Sequence, residues 1–216
     1  MNLKHSLKSG REALKHFYHR LRLRHHDVSI ISNNCWGTRT YQRFGLPYAS
    51  PFQSLFIFAP DYLQLLDGFS PDKLQIVRFI PKTASKYYAA LMQDDELRET
   101  PYPIGVLADG TELHFLHYRS ADDAKRKWDR RVERINPRKL IFKFSDGYLA
   151  TEAHIRAFDA LAYPNKICFT ATAYPQLQSV VHLARFESNG HVELEWKYDR
   201  KAIDLHRFFN TIRTDG

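Results

Sequence analysis

Leu3, Leu7, Gly10, Leu14, Phe17 and Leu21 recur at alternating spacings of four and three, which places them on one stripe of a helix and leaves polar residues on its other faces. From Asp27 onward the pattern changes to short β-like runs alternating with helical stretches, the signature of a parallel sheet covered by helices. Val28–Ser32 reads as a first strand. Ser54–Phe58 reads either as a strand or as the start of a helix running toward Leu66, and Leu74–Ile80 as a further strand. Pro103–Leu107 and Glu112–Tyr118 flank Ala108-Asp109-Gly110, whose Asp-Gly pair predicts a hairpin. Ser120 with Asp123 three residues on predicts a helix start, Ala124, Trp128, Val132 and Ile135 its inward stripe, and Asn136-Pro137 its stop. Asp122–Arg126 and Asp123–Lys127 are acid-before-base pairs four apart, and Arg130, Arg131 and Arg134 are expected on a solvated face. Lys139–Phe144 and Lys166–Ala171 read as strands, Thr151–Leu161 and Arg200–Ile212 as helices. The expectation is a basic amphipathic helix over 1–26 followed by a single α/β domain over 27–216, without repeats or a linker.

Charge changes the picture at the N-terminus. The chain of 216 residues carries a formal net charge of +8. Residues 1–26 hold Lys4, Lys8, Arg11, Lys15, Arg20, Arg22 and Arg24 against Glu12, a net +6. Three readings of such a helix stay open: its leucines pack on the domain while its bases are solvated, or it lies on an anionic membrane surface, or it is an organellar transit peptide. Nucleic acid is not an expected partner, because the charge sits mostly on one terminal helix and no helix-turn-helix, finger or RNA-recognition motif occurs. No apolar run is long enough to span a bilayer, and no apolar signal segment opens the sequence. The two cysteines, Cys35 and Cys168, show no disulfide or zinc spacing, so a reducing cytoplasm is the expected location, if need be at the inner face of the membrane.

In an open α/β sheet the site is expected at the carboxyl ends of strands. Cys35 follows the first strand, His117 nearly ends another and Ser145-Asp146-Gly147 ends a third. A thiol with a base and an orienting carboxylate is a nucleophile set, and Cys35, His117 and Asp146 are the candidates for those catalytic roles. Each also has a structural reading: a buried thiol, a satisfied strand histidine, and an Asp-Gly turn in which Asp takes backbone donors and Gly permits positive φ. Asn33 and Asn34 could cap backbone groups or hold a carbonyl oxygen or phosphate; Arg39 and Arg43, four apart if a helix begins after Gly37, could meet an anionic ligand or water. Strand alternation puts His114 and His117 on opposite faces, which disfavours a metal site. Cys168, inside Ile-Cys-Phe, is expected to be structural.

Ser32-Asn-Asn-Cys35-Trp-Gly37, Gly45-Leu-Pro-Tyr48, Ser50-Pro51, His114-Phe-Leu-His-Tyr118, Trp128 with Arg131, Arg134 and Ile135, and Asp146-Gly147 occur in the order seen in the exopolysaccharide-biosynthesis proteins that carry domain of unknown function 1919, and over about residues 28–172 the chain resembles that family. Thr38 stands where the family often has a second glycine after Trp-Gly. The resemblance implies a Rossmann-like three-layer α/β/α architecture with a mostly parallel sheet and one hairpin, and a place in exopolysaccharide, capsule or lipopolysaccharide assembly. With it, Asn33, Asn34, Trp36, Arg39, Arg43, Tyr48 and His114 become candidate substrate-binding residues. Asn34-Cys35 is also similar to the Asn-Cys motif of coenzyme-A-binding capsule acetyltransferases. The leading expectation is therefore a transferase moving an acyl group from coenzyme A onto a sugar hydroxyl of a glycan or lipid-linked glycan. A glycosyl- or phosphoglycosyl-transferase and a non-catalytic glycan or lipid-carrier binding protein are the alternatives.

Overall fold

A computed structural model describes residues 14–214. Residues 14–21 are helical (α1); the part of the amphipathic helix expected before residue 14 lies outside the described residues. The central sheet has four parallel strands in the order β1-β5-β6-β7, from β1 (Ser29–Ser32), β5 (Leu140–Ser145), β6 (Lys166–Thr170) and β7 (Val180–His182). Side chains alternate across it. Ile31, Phe142, Phe144 and Cys168 point into one apolar cluster with α3 (Ala59–Leu66), α6 (Ala121–Val132) and α7 (Glu152–Ala160). Ile30, Ile141, Ile167 and Phe169 point into another with α2 (Trp36–Phe44) and α8 (Leu205–Asn210). β1, β5 and β6 are buried on both faces, so β5 and β6 read as near-continuous apolar runs, and the expected α/β architecture with helices on both sides of a parallel sheet is what forms.

The hairpin belongs to a second sheet. Strands β2 (Ile76–Ile80), β3 (Ile104–Leu107) and β4 (Glu112–His114) are antiparallel in the order β2-β3-β4, with α4 (Tyr88–Gln93) and α5 (Asp95–Glu99) between β2 and β3. Gly110 turns the hairpin at φ +87°, where a side chain would be strained, and Asp109 Oδ1 accepts from Thr111 N at 2.9 Å. Ser54–Phe58 forms neither a regular strand nor a helix: Phe56 makes a single antiparallel bridge to His114, and α3 begins only at Ala59. The predicted strand Glu112–Tyr118 ends at His114, because the chain turns at Leu116 and His117 toward α6.

Local capping signals hold. Ser120 Oγ accepts from Asp123 N at 3.1 Å, and Thr151 forms a reciprocal cap with His154 at the start of α7. On α6, Asp123 takes both Lys127 (2.7 Å) and Arg126 (2.8 Å), so the expected Asp122–Arg126 pair is replaced by one three residues apart. Arg131 is not on a solvated face: it donates to Tyr118 Oη at 2.7 Å and lies 5.2 Å over the Tyr48 ring. The predicted helix Arg200–Ile212 shortens to α8, capped by Asp204 through His206 N and Arg207 N.

Candidate functional site

The carboxyl end of β1 runs through Ser32, Asn33, Asn34 and Cys35 into α2. Gly37 lets the first turn of α2 lie on β1, since a Cβ there would sit 3.2 Å from Ile30 Cγ2. Thr38 is buried and spoken for: its Oγ1 accepts from Ser54 N at 2.8 Å and holds the loop beyond α2, so the position lies against protein.

Beside this turn lies a buried polar network. Lys143, in the middle of β5, is wholly buried and pairs with Glu195, itself 1% exposed. Its Nζ also donates to Asn34 Oδ1 at 2.7 Å, Ser145 Oγ at 3.1 Å and Asn33 Oδ1 at 3.4 Å. Asn34 Nδ2 donates to Glu195 Oε1 at 2.8 Å and to Ser145 Oγ at 3.2 Å. Burial pushes the Lys143 ammonium below the usual lysine range, and Glu195 works against that by holding the charge. A few residues on, Asp199 accepts from Trp36 Nε1 at 2.9 Å and from Arg43 Nη1 at 3.0 and 3.1 Å, while Arg43 Nη2 also donates to the Trp196 carbonyl. Burial raises the Asp199 carboxyl, with Arg43 opposing. Residues 195–199 are thus clamped over the end of the sheet at both ends of the segment.

Outside this clamp an open cleft of about 1210 Å³ runs between α1, α2 and the 196–200 segment. Lys15, Arg39, Arg43, Lys197 and Arg200 give it positive charge, and Phe17, Tyr18 and Trp196 give it aromatic walls, with His16 and His19 also in the lining. Arg39 lies 5.8 Å over the Trp196 ring.

Over residues 7–213 the sequence matches the family described as Domain of unknown function (DUF1919). The chain belongs to that family. An uncharacterised protein of Haemophilus influenzae (strain ATCC 51907 / DSM 11121 / KW20 / Rd) is 30% identical over 171 residues, which cover 79% of this chain and 75% of the relative. The DUF1919 match takes in α1 and the Glu195–Asp199 clamp, both outside the blocks legible by eye.

In this DUF1919 chain Cys35, His117 and Asp146 do not converge. No hydrogen bond or ion pair joins any two of them. Cys35 is half-buried at the start of α2, and burial pushes its thiol up to about 11, only partly offset by Arg39, so it is protonated at neutral pH. His117 is exposed in the turn before α6, beside Pro101, Tyr102, Pro103 and Arg119. Asp146 accepts from Ala171 N at 2.6 Å and Val192 N at 2.7 Å, and burial raises its carboxyl. It satisfies backbone donors, as the turn reading anticipated, although the positive φ falls on Tyr148 and Leu149 instead of Gly147.

The ligand-binding candidates divide. Arg39 and Arg43 share one face of α2 and line the cleft. Trp36 is sealed against Phe169 with its indole nitrogen on Asp199, so it offers no stacking surface. Asn33 and Asn34 are consumed by the Lys143 network. Tyr48 packs on Tyr41 and accepts from Gln42, and it is not among the residues that line the cleft. His114 is wholly buried, stacked on Phe56 at 4.6 Å, and burial lowers it to about 3, so it is a neutral core residue. Cys168 is buried as expected. Sequence reasoning missed Lys143, Ser145, Glu195, Trp196 and Asp199. A signal existed for Lys143: a lysine inside the otherwise apolar Leu140–Phe144 run is costly unless paired. No group of three or more His, Cys, Asp or Glu able to hold a metal occurs among the described residues, and no helix among them is long and apolar enough to cross a membrane.

Proposed function

We propose that this protein serves cell-surface polysaccharide assembly by holding a phosphate-bearing glycan precursor in the cleft between α1, α2 and residues 196–200, and that it acts there as a transferase. The cleft carries the reading. Its volume of about 1210 Å³ suits a nucleotide sugar or the head of a lipid-linked sugar. Arg39, Lys197 and Arg200 offer charge-assisted donors to a diphosphate, and Trp196 offers an aromatic face to a sugar ring or base. The clamp through Glu195 and Asp199 fixes the segment that bears Trp196 and Lys197, so much of the ordering cost is met before ligand arrives. The family resemblance to exopolysaccharide-biosynthesis proteins supports the same setting.

Acyl transfer through a Cys35 thioester draws no support from this geometry, because the thiol is held protonated and neither His117 nor Asp146 reaches it. Transfer in which the acceptor hydroxyl attacks the bound donor directly forms the new bond as the donor's bond to its phosphate leaving group breaks, and it needs a neutral base in the cleft to take the hydroxyl proton. His19 fits that description: burial and then the charges of His206, Arg200, Arg43 and Arg22 all lower it, so it is neutral at pH 7.

Titrations followed by thermal shift test the reading. Nucleoside-diphosphate sugars, a short-chain polyprenyl-phosphate sugar, coenzyme A and a neutral oligosaccharide are compared with wild type and with Arg39→Ala/Lys197→Ala/Arg200→Ala. A phosphate-bearing glycan precursor should raise Tm in proportion to the logarithm of its concentration above Kd, weaken with salt and lose its effect in the variant. Stabilisation by coenzyme A alone would move the reaction class to acyl transfer. No response to any phosphate-bearing glycan up to millimolar concentration would remove the reading.

A further inference from the structure

The way α1 is mounted on the domain points to a use for its outer face. Successive helical residues are about 100° apart, so His16 and His19 share one side of α1, and Leu14, Phe17, Tyr18 and Leu21 share the opposite side. The histidine side is docked. His16 lies so close to Gly45 that a Cβ there would meet His16 Cβ at 2.6 Å. His19 stands edge-on to Phe44 at 5.4 Å and stacks on His206 at 5.1 Å, with Nδ1 3.1 Å from His206 Nε2. Just beyond the helix Leu23 enters the core, and Asn210 of α8 holds the exit at both ends, accepting from Arg24 N and donating to the Arg22 carbonyl, each at 2.7 Å. Leu14 and Leu21, which one of the three readings packs on the domain, are on the other side.

That other side is bare. Leu14, Phe17, Tyr18 and Leu21 are 69, 53, 55 and 70% exposed. Among the described residues the other exposed large apolar side chains, Val77, Tyr88, Leu149 and Leu194, come from four separate segments of the chain, whereas these four come from a single helix. Basic residues flank the bare stripe along the helix: Lys15 and Arg22 on one edge and Arg20 on the other, with Arg24 just beyond. In the sequence, Leu3, Leu7 and Gly10 continue the apolar spacing, and Lys4, Lys8 and Arg11 continue the charge.

We infer that α1 seats the protein on an anionic lipid bilayer, with Leu14, Phe17, Tyr18 and Leu21 in the headgroup and upper acyl region and the flanking bases on lipid phosphates. Charge selects this occupant. A second copy would press an N-terminal segment of net +6 against its equal, and a polyanion such as nucleic acid offers no apolar phase for the leucines. An anionic bilayer supplies both phases in the order in which the helix presents them. Since α1 also forms one wall of the cleft, the cleft opens beside the headgroups, where a lipid-linked glycan would present its phosphates. The bilayer inference itself does not depend on what the cleft binds.

Flotation of the full-length protein with vesicles tests it, without any cleft ligand. Vesicles of equal parts phosphatidylcholine and phosphatidylglycerol should bind on the order of tenfold or more tightly than phosphatidylcholine alone, and the difference should shrink in high salt. Leu14→Ser/Leu21→Ser alters only exposed side chains and leaves the aromatic walls of the cleft in place, so Tm should hold while binding to the anionic vesicles drops on the order of tenfold. Arg20→Glu/Arg22→Glu should do the same. Equal partition onto both vesicle types, or unchanged binding by the serine variant, would overturn the inference. So would a wild-type dimer in size-exclusion chromatography that the serine variant dissolves while vesicle binding is absent, which would assign the stripe to a second copy. A failure here leaves the soluble-ligand titrations untouched.

Discussion

Removing Glu195 tests whether the buried ion pair organises the end of the sheet. Lys143 and Glu195 are 0 and 1% exposed, and the Lys143 ammonium is surrounded by Asn33, Asn34 and Ser145. In Glu195→Leu the ammonium stays buried with neutral partners only, and loss of one member of such a pair costs about 3–5 kcal/mol. For a chain of this length that lowers Tm by roughly 6–20 °C. Lys143→Met should cost a similar amount, because it strands the carboxylate. The double variant Lys143→Met/Glu195→Leu removes both charges and fills the space with apolar groups, so it should be more stable than either single variant, with a coupling of about 2–3 kcal/mol. Urea unfolding at pH 7, followed by tryptophan fluorescence with m compared across the set, measures all four corners of the cycle. A Glu195→Leu cost below about 1 kcal/mol, or a double variant as unstable as the two single losses added together, would show that the pair is neither sealed nor coupled. Because Glu195 anchors Trp196 and Lys197, the single variant should also weaken ligand binding in the cleft while the double variant, with its segment repacked, retains part of it.

The remaining expectations concern pH, the thiol and the seat of α1. His114 is neutral when folded, lowered by burial from 6.5 to about 3, and His19 and His206 are also lowered by burial. For a base lowered by folding, the unfolded chain binds the extra proton first, so stability is complete above about pH 6.5 and falls as pH drops toward the folded value. His114 alone sets a ceiling of about 4–5 kcal/mol on that loss; His114→Phe should flatten the acid limb of Tm against pH, and an unchanged limb would place the proton elsewhere. Cys35 should react with a disulfide reagent at pH 8 on the order of a hundredfold more slowly than a free thiol, since its pKa of about 11 leaves little thiolate; rapid labelling would restore it as a nucleophile candidate. Gly45→Ala puts a side chain at φ +63° and against His16, so it should cost about 1 kcal/mol or more and speed hydrogen exchange selectively in residues 14–21, and uniform protection there would show that Gly45 is not the seat of the helix.

Strands, caps and the hairpin were legible because their causes are local. A run such as Leu140–Ser145 is apolar because both of its faces are covered, Ser120 caps the helix that follows it, and Asp109-Gly110 turns where only a flexible residue fits. The same locality produced the errors. Alternation extended β4 through His117, because nothing in Phe115–Tyr118 announces that the chain must turn toward α6, and it left the partner of Phe56 unspecified. Asn33, Asn34, Cys35, Arg39 and Arg43 were correctly placed at the end of β1 and on α2, but their exposure was not readable: the asparagines are consumed by Lys143, and only Arg39 and Arg43 reach the cleft. Lys143 and Glu195 are 52 positions apart, and Trp36 and Asp199 are 163 apart. By itself the sequence determined β1, β5, β6, the hairpin turn and the start of α6, the parallel α/β class, the family and the asymmetry of charge at the N-terminus, since each follows from neighbours or from composition. Which side of α1 faces the protein, which cysteine and histidines are sealed, and which distant carboxylates close over the sheet were decided only by the tertiary structure, because burial and long-range pairing belong to the packed chain and have no signature within any one segment.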